Sequence, residues 1–268
     1  MSRLQIPAVL LICLTALVPC RAATSVAYTK TKITGVQINL VTIDLNDENI
    51  RLTPAVAKRG IGTCESFRSI MRRTRPAAAV NGTFFCTKTL SPTGDIVIDG
   101  NLLSKGSVGT AVAIEGNNQV TFLPAGRPDL YNWWDYQHVI AAGPALILRG
   151  KTIVAPRAQG FTSRIHFARE RRAAVGLTSA NKLVFVTTGR KIYLRTLARV
   201  MRSLHCTDAA VLDGGSSIGL YWKGKLIANP GRGMTNCLLV YDNPYDYEQH
   251  RECFYPAIRY SSAPPSGS

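Results

Sequence analysis

The chain is poor in the residues that build metal centres. It has only four histidines, of which His205 alone directly adjoins a cysteine, and no two of its seven cysteines stand at C-x-x-C spacing. A metal-dependent phosphodiesterase, which needs a cluster of ligands, is therefore not expected, and neither a metal nor another cofactor is called for. Acidic residues are also scarce, at 16 against 32 Lys and Arg, which leaves a net charge of +16. Beyond residue 18 no apolar run is long enough to cross a bilayer as a helix. No internal repeat occurs. No nucleic-acid recognition motif accompanies the positive charge, so a nucleic-acid partner is not expected. Nothing in the pattern speaks to oligomeric state.

What is present starts with a leader. Arg3 supplies a short positive region, Ile6 to Val18 an apolar one, and Pro19 breaks it. Cys20-Arg21-Ala22 places small residues at −3 and −1 of a cut after Ala22. Residues 1–22 therefore read as a secretory signal peptide, and the protein as exported, either periplasmic or secreted. Pro19 before Cys20 argues against lipid attachment there. Residues 23–260 are expected to form one domain. Residues 261–268, with Pro264-Pro265 among serines, read as a disordered tail. Export makes disulfides the default for Cys64, Cys86, Cys206, Cys237 and Cys253. A Cys64–Cys86 bridge is favoured, since it would tie a helix start to a strand end at a gain of about 3 kcal/mol.

The positive excess suits an anionic partner, such as a phosphate-bearing glycan or a membrane surface, and equally suits plain solubility. It reads as scattered, through Arg68, Arg72, Arg73, Arg75 and the 164–172 run.

Residues 26–57 alternate apolar and polar positions, with turns at Gly35 and Asn46-Asp47, and predict antiparallel strands. Thr63 is placed to cap a helix running to Arg73, with Cys64, Phe67, Ile70 and Met71 on its apolar side. Hairpin signals follow at Asp99-Gly100, Asn117-Asn118, Arg149-Gly150 and Lys223-Gly224, each between apolar runs. Tyr131 to Tyr136 is dense in aromatics and suits either core or stacking on a sugar ring. Pro156 to Arg171 is basic and irregular, and predicts a surface loop. Leu194, Leu197, Ala198, Met201 and Leu204 mark a second helix. Many short strands and two clear helices predict an α+β single domain: a mixed, mostly antiparallel curved sheet with a few packed helices.

Three segments carry chemistry. Leu212-Asp213-Gly214-Gly215-Ser216-Ser217 ends a buried strand in a carboxylate, two glycines and two hydroxyls, which suits an anionic or sugar ligand as well as an ordinary turn. Val80-Asn81-Gly82-Thr83-Phe84-Phe85 ends another strand in an amide, a glycine and two aromatics. Arg172 stands immediately before the apolar strand Ala173 to Leu177, either as a bidentate partner for phosphate or as a solvated edge charge.

Together, and in this order, these segments resemble the phosphodiester glycosidase family. Gly143-Pro144-Ala145-Leu146 and the ending Asn229 to Tyr241 are similar to its pattern too, so the resemblance spans about residues 30–242. Thr83 stands where the family often has glycine, and the Gly189–Leu197 connection is shorter than usual. The resemblance implies hydrolysis of a sugar joined through its anomeric carbon to a phosphodiester or a related envelope glycan. Asp213, Arg172 and Asn81 would be catalytic, with Asp213 facing the sugar or its attacking water and Arg172 the phosphate. Gly82, Thr83, Gly143, Gly214, Gly215, Ser216, Ser217 and Asn236 would contact the substrate. Ser217 is open as a nucleophile, although no histidine is placed to activate it. A second carboxylate, if one is used, is Asp95, Asp99 or Glu170. The competing reading is a non-catalytic binder of anionic cell-envelope polysaccharide using the same cleft.

Overall fold

A computed structural model of the protein describes residues 24–106, 108–125 and 133–256. The expected leader and tail lie outside these residues, as do Tyr131 and Asn132 of the aromatic cluster. The chain opens with β1 (Val26–Ile33), β2 (Val36–Asp44) and β3 (Arg51–Val56), as the alternation predicts. Next come α1 (Phe67–Thr74), β4 (Ala78–Asn81), β5 (Ile96–Ile98), β6 (Asn101–Ser104), β7 (Thr110–Ile114) and β8 (Val120–Pro124). Then follow β9 (His138–Ala142), β10 (Ala145–Leu148), β11 (Lys151–Thr152), β12 (Ala173–Thr178), β13 (Lys182–Thr188) and α2 (Leu194–Ser203). The last elements are β14 (Cys206–Leu212), β15 (Leu220–Trp222), β16 (Lys225–Ala228), β17 (Asn236–Tyr241) and α3 (Pro244–His250). Thr34-Gly35, Asp99-Gly100, Arg149-Gly150 and Lys223-Gly224 have positive φ at both residues, the geometry that matches a tight hairpin to the twist of its strands.

The fold is strand-dominated. Instead of one curved sheet there are three: β1-β2-β13-β12-β14-β10-β11, β16-β15-β4-β17-β3 and β6-β5-β9-β7-β8. Among the described residues every pair of neighbouring strands is antiparallel, so nothing of a mixed sheet remains. Period-2 alternation then sorts the layers. Ala173, Val175, Ala210 and Leu212 face inward, where they meet Val80 and Leu238 of the second sheet and Val112 and Ile140 of the third. Ala174, Ala209 and Val211 face the other way, onto Leu197, Ala198 and Met201 of α2. Ala79 and Leu239 turn to Phe67 and Ile70 of α1 and to Tyr247 of α3.

Helix α1 starts later than the spacing suggests. Ser66 is its cap, and its hydroxyl accepts from the Ser69 N–H at 3.1 Å, while Thr63 donates instead to Gly60 O at 2.7 Å. Cys64 therefore lies outside the helix. Among the described residues the cysteines are all unpaired, and the expected Cys64–Cys86 bridge is not formed. Cys64 packs against Gly233, where a Cβ would come within 2.8 Å of its sulfur. Cys86 instead opens a separate turn, closed by the Leu90 N–H on Cys86 O at 2.7 Å. The 156–171 stretch is not a loose loop either. Gln159 takes the Ala145 N–H at 2.7 Å and donates to Ile153 O at 3.2 Å, while Phe161 and His166 are buried. In the aromatic stretch, Trp133 donates to Asp95 at 2.8 Å and meets Tyr136 edge-on, whereas Trp134 is exposed.

One buried histidine ties α3 to the third sheet. His138 accepts at Nδ1 from the Asp99 N–H at 3.2 Å, which puts its proton on Nε2, 3.0 Å from the Tyr247 hydroxyl. Burial pushes its pKa down to about 4, with the Asp99 carboxylate opposing and Arg251 assisting. The unfolded chain therefore binds more protons than the folded one between about pH 6.5 and pH 4, so stability is full above that window and falls as the pH drops through it. His166, pushed to about 4 by burial and then by Arg172, adds to the loss in the same window. Urea midpoints should drop between pH 7.5 and pH 5. His138→Gln should flatten that slope while leaving part of it to His166. A midpoint independent of pH would contradict the burial argument.

Candidate active site

The ends of β4 and β14 and the starts of β12 and β17 meet at one edge of the layered sheets. Antiparallel register explains the meeting of β12 and β14. Ala173 pairs with Leu212, so Arg172 stands opposite Asp213 as the two strands run out. Chain 81–83 is brought to the same place by hydrogen bonds to its backbone: the Asp213 N–H donates to Gly82 O at 3.1 Å, and the Gly82 N–H to Asn236 O at 3.2 Å.

Asn81 is completely buried, and its amide bonds backbone on both sides. Nδ2 donates to Asp213 O at 2.7 Å, and Oδ1 accepts from the Gly219 N–H at 3.1 Å. It clamps the start and the end of the 213–219 turn. Asn236 does the same for the neighbouring chain, accepting from the Thr83 N–H at 2.8 Å and donating to Thr235 at 2.8 Å. Inside this frame the Thr83 hydroxyl is buried without a hydrogen-bond partner among the described residues.

The charged centre is Asp213. One carboxylate oxygen accepts from the Gly214 N–H at 2.8 Å, and the other lies 2.9 Å from Nη2 of Arg232. Arg232 also donates from Nε to the buried Ser217 hydroxyl at 2.6 Å, and its guanidinium lies 4.5 Å above the Phe85 ring. Burial pushes the Asp213 pKa up from the ordinary carboxylate range, against Ser217, Arg232 and the Gly214 N–H, which all favour the anion. The Arg232 side chain keeps about a third of its surface (32 %) in solvent, against 3 % for that of Asp213, so it stands at the mouth of the pair. It was not among the residues expected from the sequence. The signal was Gly231-Arg232-Gly233, an arginine between two glycines just before β17, in a segment without periodicity.

Arg172 is differently placed from its expected role. It is 1 % exposed, and its guanidinium is spread over main-chain carbonyls: Nε to Ile192 O at 3.2 Å, and Nη2 to Ile165 O at 2.9 Å and to Ala168 O at 2.5 Å. Those bonds hold the 165–168 turn and the approach to α2 against the start of β12. Burial lowers its pKa to about 10, with Glu170 opposing. It remains a cation beside the site.

The glycines are required by close approach. A Cβ on Gly82 would sit 1.9 Å from Asn236 Oδ1, one on Gly143 would meet Phe84 at 2.4 Å, and one on Gly214 would meet Arg171 O at 2.8 Å. Gly215 has φ +61° and donates to Arg171 O at 3.0 Å. Ser216 is exposed, and its carbonyl accepts from the Gly231 N–H at 2.8 Å. Gly82→Ala must displace Asn236 or the strand end. It should cost about 1–3 kcal/mol, as overpacking does, read as a drop in the urea midpoint. An unshifted midpoint would refute the close approach.

Of the other carboxylates, Asp95 accepts from the Gly106 N–H at 2.6 Å and from Trp133. Asp99 pairs with Arg251 at 2.9 Å and Glu170 with Lys191 at 3.5 Å. None of these contacts reaches Asp213. Among the described residues no three His, Cys, Asp or Glu side chains gather as a metal site, and no helix is long and apolar enough to cross a membrane.

Known structures share this architecture. A Synechocystis protein described as hypothetical superposes with a TM-score of 0.68 at 18 % identity, over 80 % of this chain and 61 % of its own, so the chain spans less than two thirds of that relative. The catalytic domain of zebrafish N-acetylglucosamine-1-phosphodiester alpha-N-acetylglucosaminidase, auto-inhibited by its pro-peptide, gives 0.66 at 18 % identity over 81 % of this chain and 82 % of its own. A Burkholderia pseudomallei protein described as exported gives 0.55 at 14 % identity, over 77 % and 74 %. At these identities the likeness is one of fold. No protein with a curated description matches by sequence. The phosphodiester glycosidase family profile, however, matches residues 74–241, which run from the last residue of α1 to the end of β17 and take in Asn81, Arg172, Asp213 and Arg232. By that match the chain belongs to the phosphodiester glycosidase family.

Proposed function

We propose that the protein is an exported hydrolase that cleaves the bond between a sugar's anomeric carbon and a phosphodiester. The observation that carries the reading is the Asp213–Arg232–Ser217 contact: a buried carboxylate whose only cationic neighbour in hydrogen-bond reach, among the described residues, is a partly exposed arginine. A substrate phosphate competes with Asp213 for that guanidinium, which suits a planar oxyanion partner. As Arg232 turns to the phosphate, Asp213 loses its counter-charge while still buried, and its affinity for a proton rises.

Asp213 then takes a proton from a water molecule, whose oxygen forms a bond to the anomeric carbon. The anomeric C–O bond breaks, and its electron pair leaves on the phosphate oxygen, stabilised by Arg232. The products are free sugar and a phosphomonoester. Phosphate is a good leaving group, so a second carboxylate acting as general acid is not essential. The unspent Thr83 hydroxyl is assigned to the sugar, and Asn81 and Asn236 position the chain around it. Arg172 contributes a fixed positive field. Export is supported by the leader pattern of residues 1–22.

Hydrolysis of a glycosyl phosphodiester in isotopically labelled water tests the reaction. The label should enter the sugar. Label found in the phosphate would mean P–O cleavage and would overturn the scheme.

A further inference from the structure

The positive charge is concentrated in one part of the chain. Residues 149–202 hold thirteen of the 32 Lys and Arg and a single acidic residue, Glu170. The fold lines several of these along α2. Arg195, Arg199 and Arg202 recur at helical spacing on its exposed side, while Leu194, Leu197, Ala198 and Met201 are buried beneath. Two cavities, of about 540 and 520 Å³, run beside this row and share Val154 and Arg195 in their walls. The first extends past Arg157, Phe167 and Tyr193 at the start of α2, and the second ends at Arg202. Among the described residues no carboxylate pairs with Arg157, Arg195, Arg199 or Arg202. Arg202 donates to Gly150 O at 3.0 Å, and Arg157 lies 5.0 Å over the Phe167 ring.

We propose that this groove binds a run of anionic polysaccharide, apart from the site at Asp213. Unpaired arginines at successive turns match a chain carrying repeated phosphate, sulfate or carboxylate groups, whereas one small anion would use only one of them. At the Tyr193 end its exposed ring, and the face of Phe167 away from Arg157, offer surfaces for sugar rings. The two cavities follow one another along α2 from Tyr193 to Arg202, which fits a single polymer strand better than the flat surface of a bilayer. The Tyr193 end adjoins the other site through His166, which lines the cavity and whose ring lies 4.9 Å from that of Phe84. A polymer held here would be kept near the strand ends. The glycosidase reading enters only in the choice of a glycan as the polymer.

The test uses the full chain and three probes: dextran sulfate, neutral dextran and vesicles containing an anionic lipid. Dextran sulfate should bind and neutral dextran should not. Arg195→Ala/Arg199→Ala/Arg202→Ala should weaken dextran sulfate binding by about tenfold or more and lower the slope of log K against log salt by about one for each arginine removed. Lys30→Ala/Lys32→Ala/Arg59→Ala removes the same charge from exposed positions elsewhere and should change binding less than about twofold. Equal losses in the two triple variants would mean unspecific attraction and would overturn the proposal. So would tighter, groove-dependent binding to the vesicles. Arg232→Ala, which removes the cation of the Asp213 site, should bind dextran sulfate to within about twofold of the unaltered protein. Loss of binding there would move the anion to the other site and refute the groove, whereas intact binding supports it whether or not hydrolysis is detected.

Discussion

Asp213→Asn should lower kcat/KM for a glycosyl phosphodiester by about 10²–10⁴-fold, the usual worth of a positioned base. The exchange keeps the shape and the contact with the Gly214 N–H. It removes the group that accepts the proton of the attacking water, and it leaves Arg232 without its partner. The folded protein should survive, because asparagine needs no counter-charge in this buried position, so an unchanged urea midpoint beside a lost rate separates chemistry from stability. A variant that turns over at the original rate would remove Asp213 from the mechanism and with it the scheme proposed above.

Arg232→Ala is expected to lose about 10²–10³-fold, as removal of a group that stabilises developing charge does, and it carries a signature in pH. Asp213 already sits above the ordinary carboxylate range because it is buried, and Arg232 is one of the groups holding it down. Without the guanidinium its pKa rises further, so the acid limb of the kcat/KM profile should move to higher pH. Arg232→Lys restores charge but cannot bridge Asp213 and Ser217 as the fork of Arg232 does, and it should recover the pH profile more than the rate. An Arg232→Ala profile that keeps the original acid limb would show that Asp213 is not the titrating base.

The strand ends were legible in the sequence because their chemistry is local. A carboxylate, two glycines and hydroxyls after an apolar run can be read wherever they occur, and Asp213, Gly82 and Asn236 do meet. Their roles were less legible. Asn81 looks like a ligand amide in isolation, yet both ends of its side chain are consumed by the Asp213 and Gly219 backbone, contacts 132 and 138 residues away along the chain. Arg172 reads as a strand-edge arginine, either a phosphate partner or a solvated charge, and its side chain proves to be interior, because the 165–168 turn folds over it. Arg232 lies in a turn between strands, where no periodicity marks a residue, and only its proximity in space to Asp213 gives it meaning. The division into three sheets was hidden for the same reason. Strand pairing joins segments far apart in the chain, whereas alternation reports only which side of a strand faces inward.

Strand β4 lies between β15 and β17 in the second sheet. A segment made early in synthesis therefore waits for both of its neighbours until nearly the whole polypeptide has emerged. Until Tyr241 has left the ribosome, Asn81 has nothing on one flank, and a chain cut short before β17 lacks Asn236 and the strand that seats Asn81. Such long-range closure makes for slow folding, and it means that the frame around Asp213 is completed all at once, at the end.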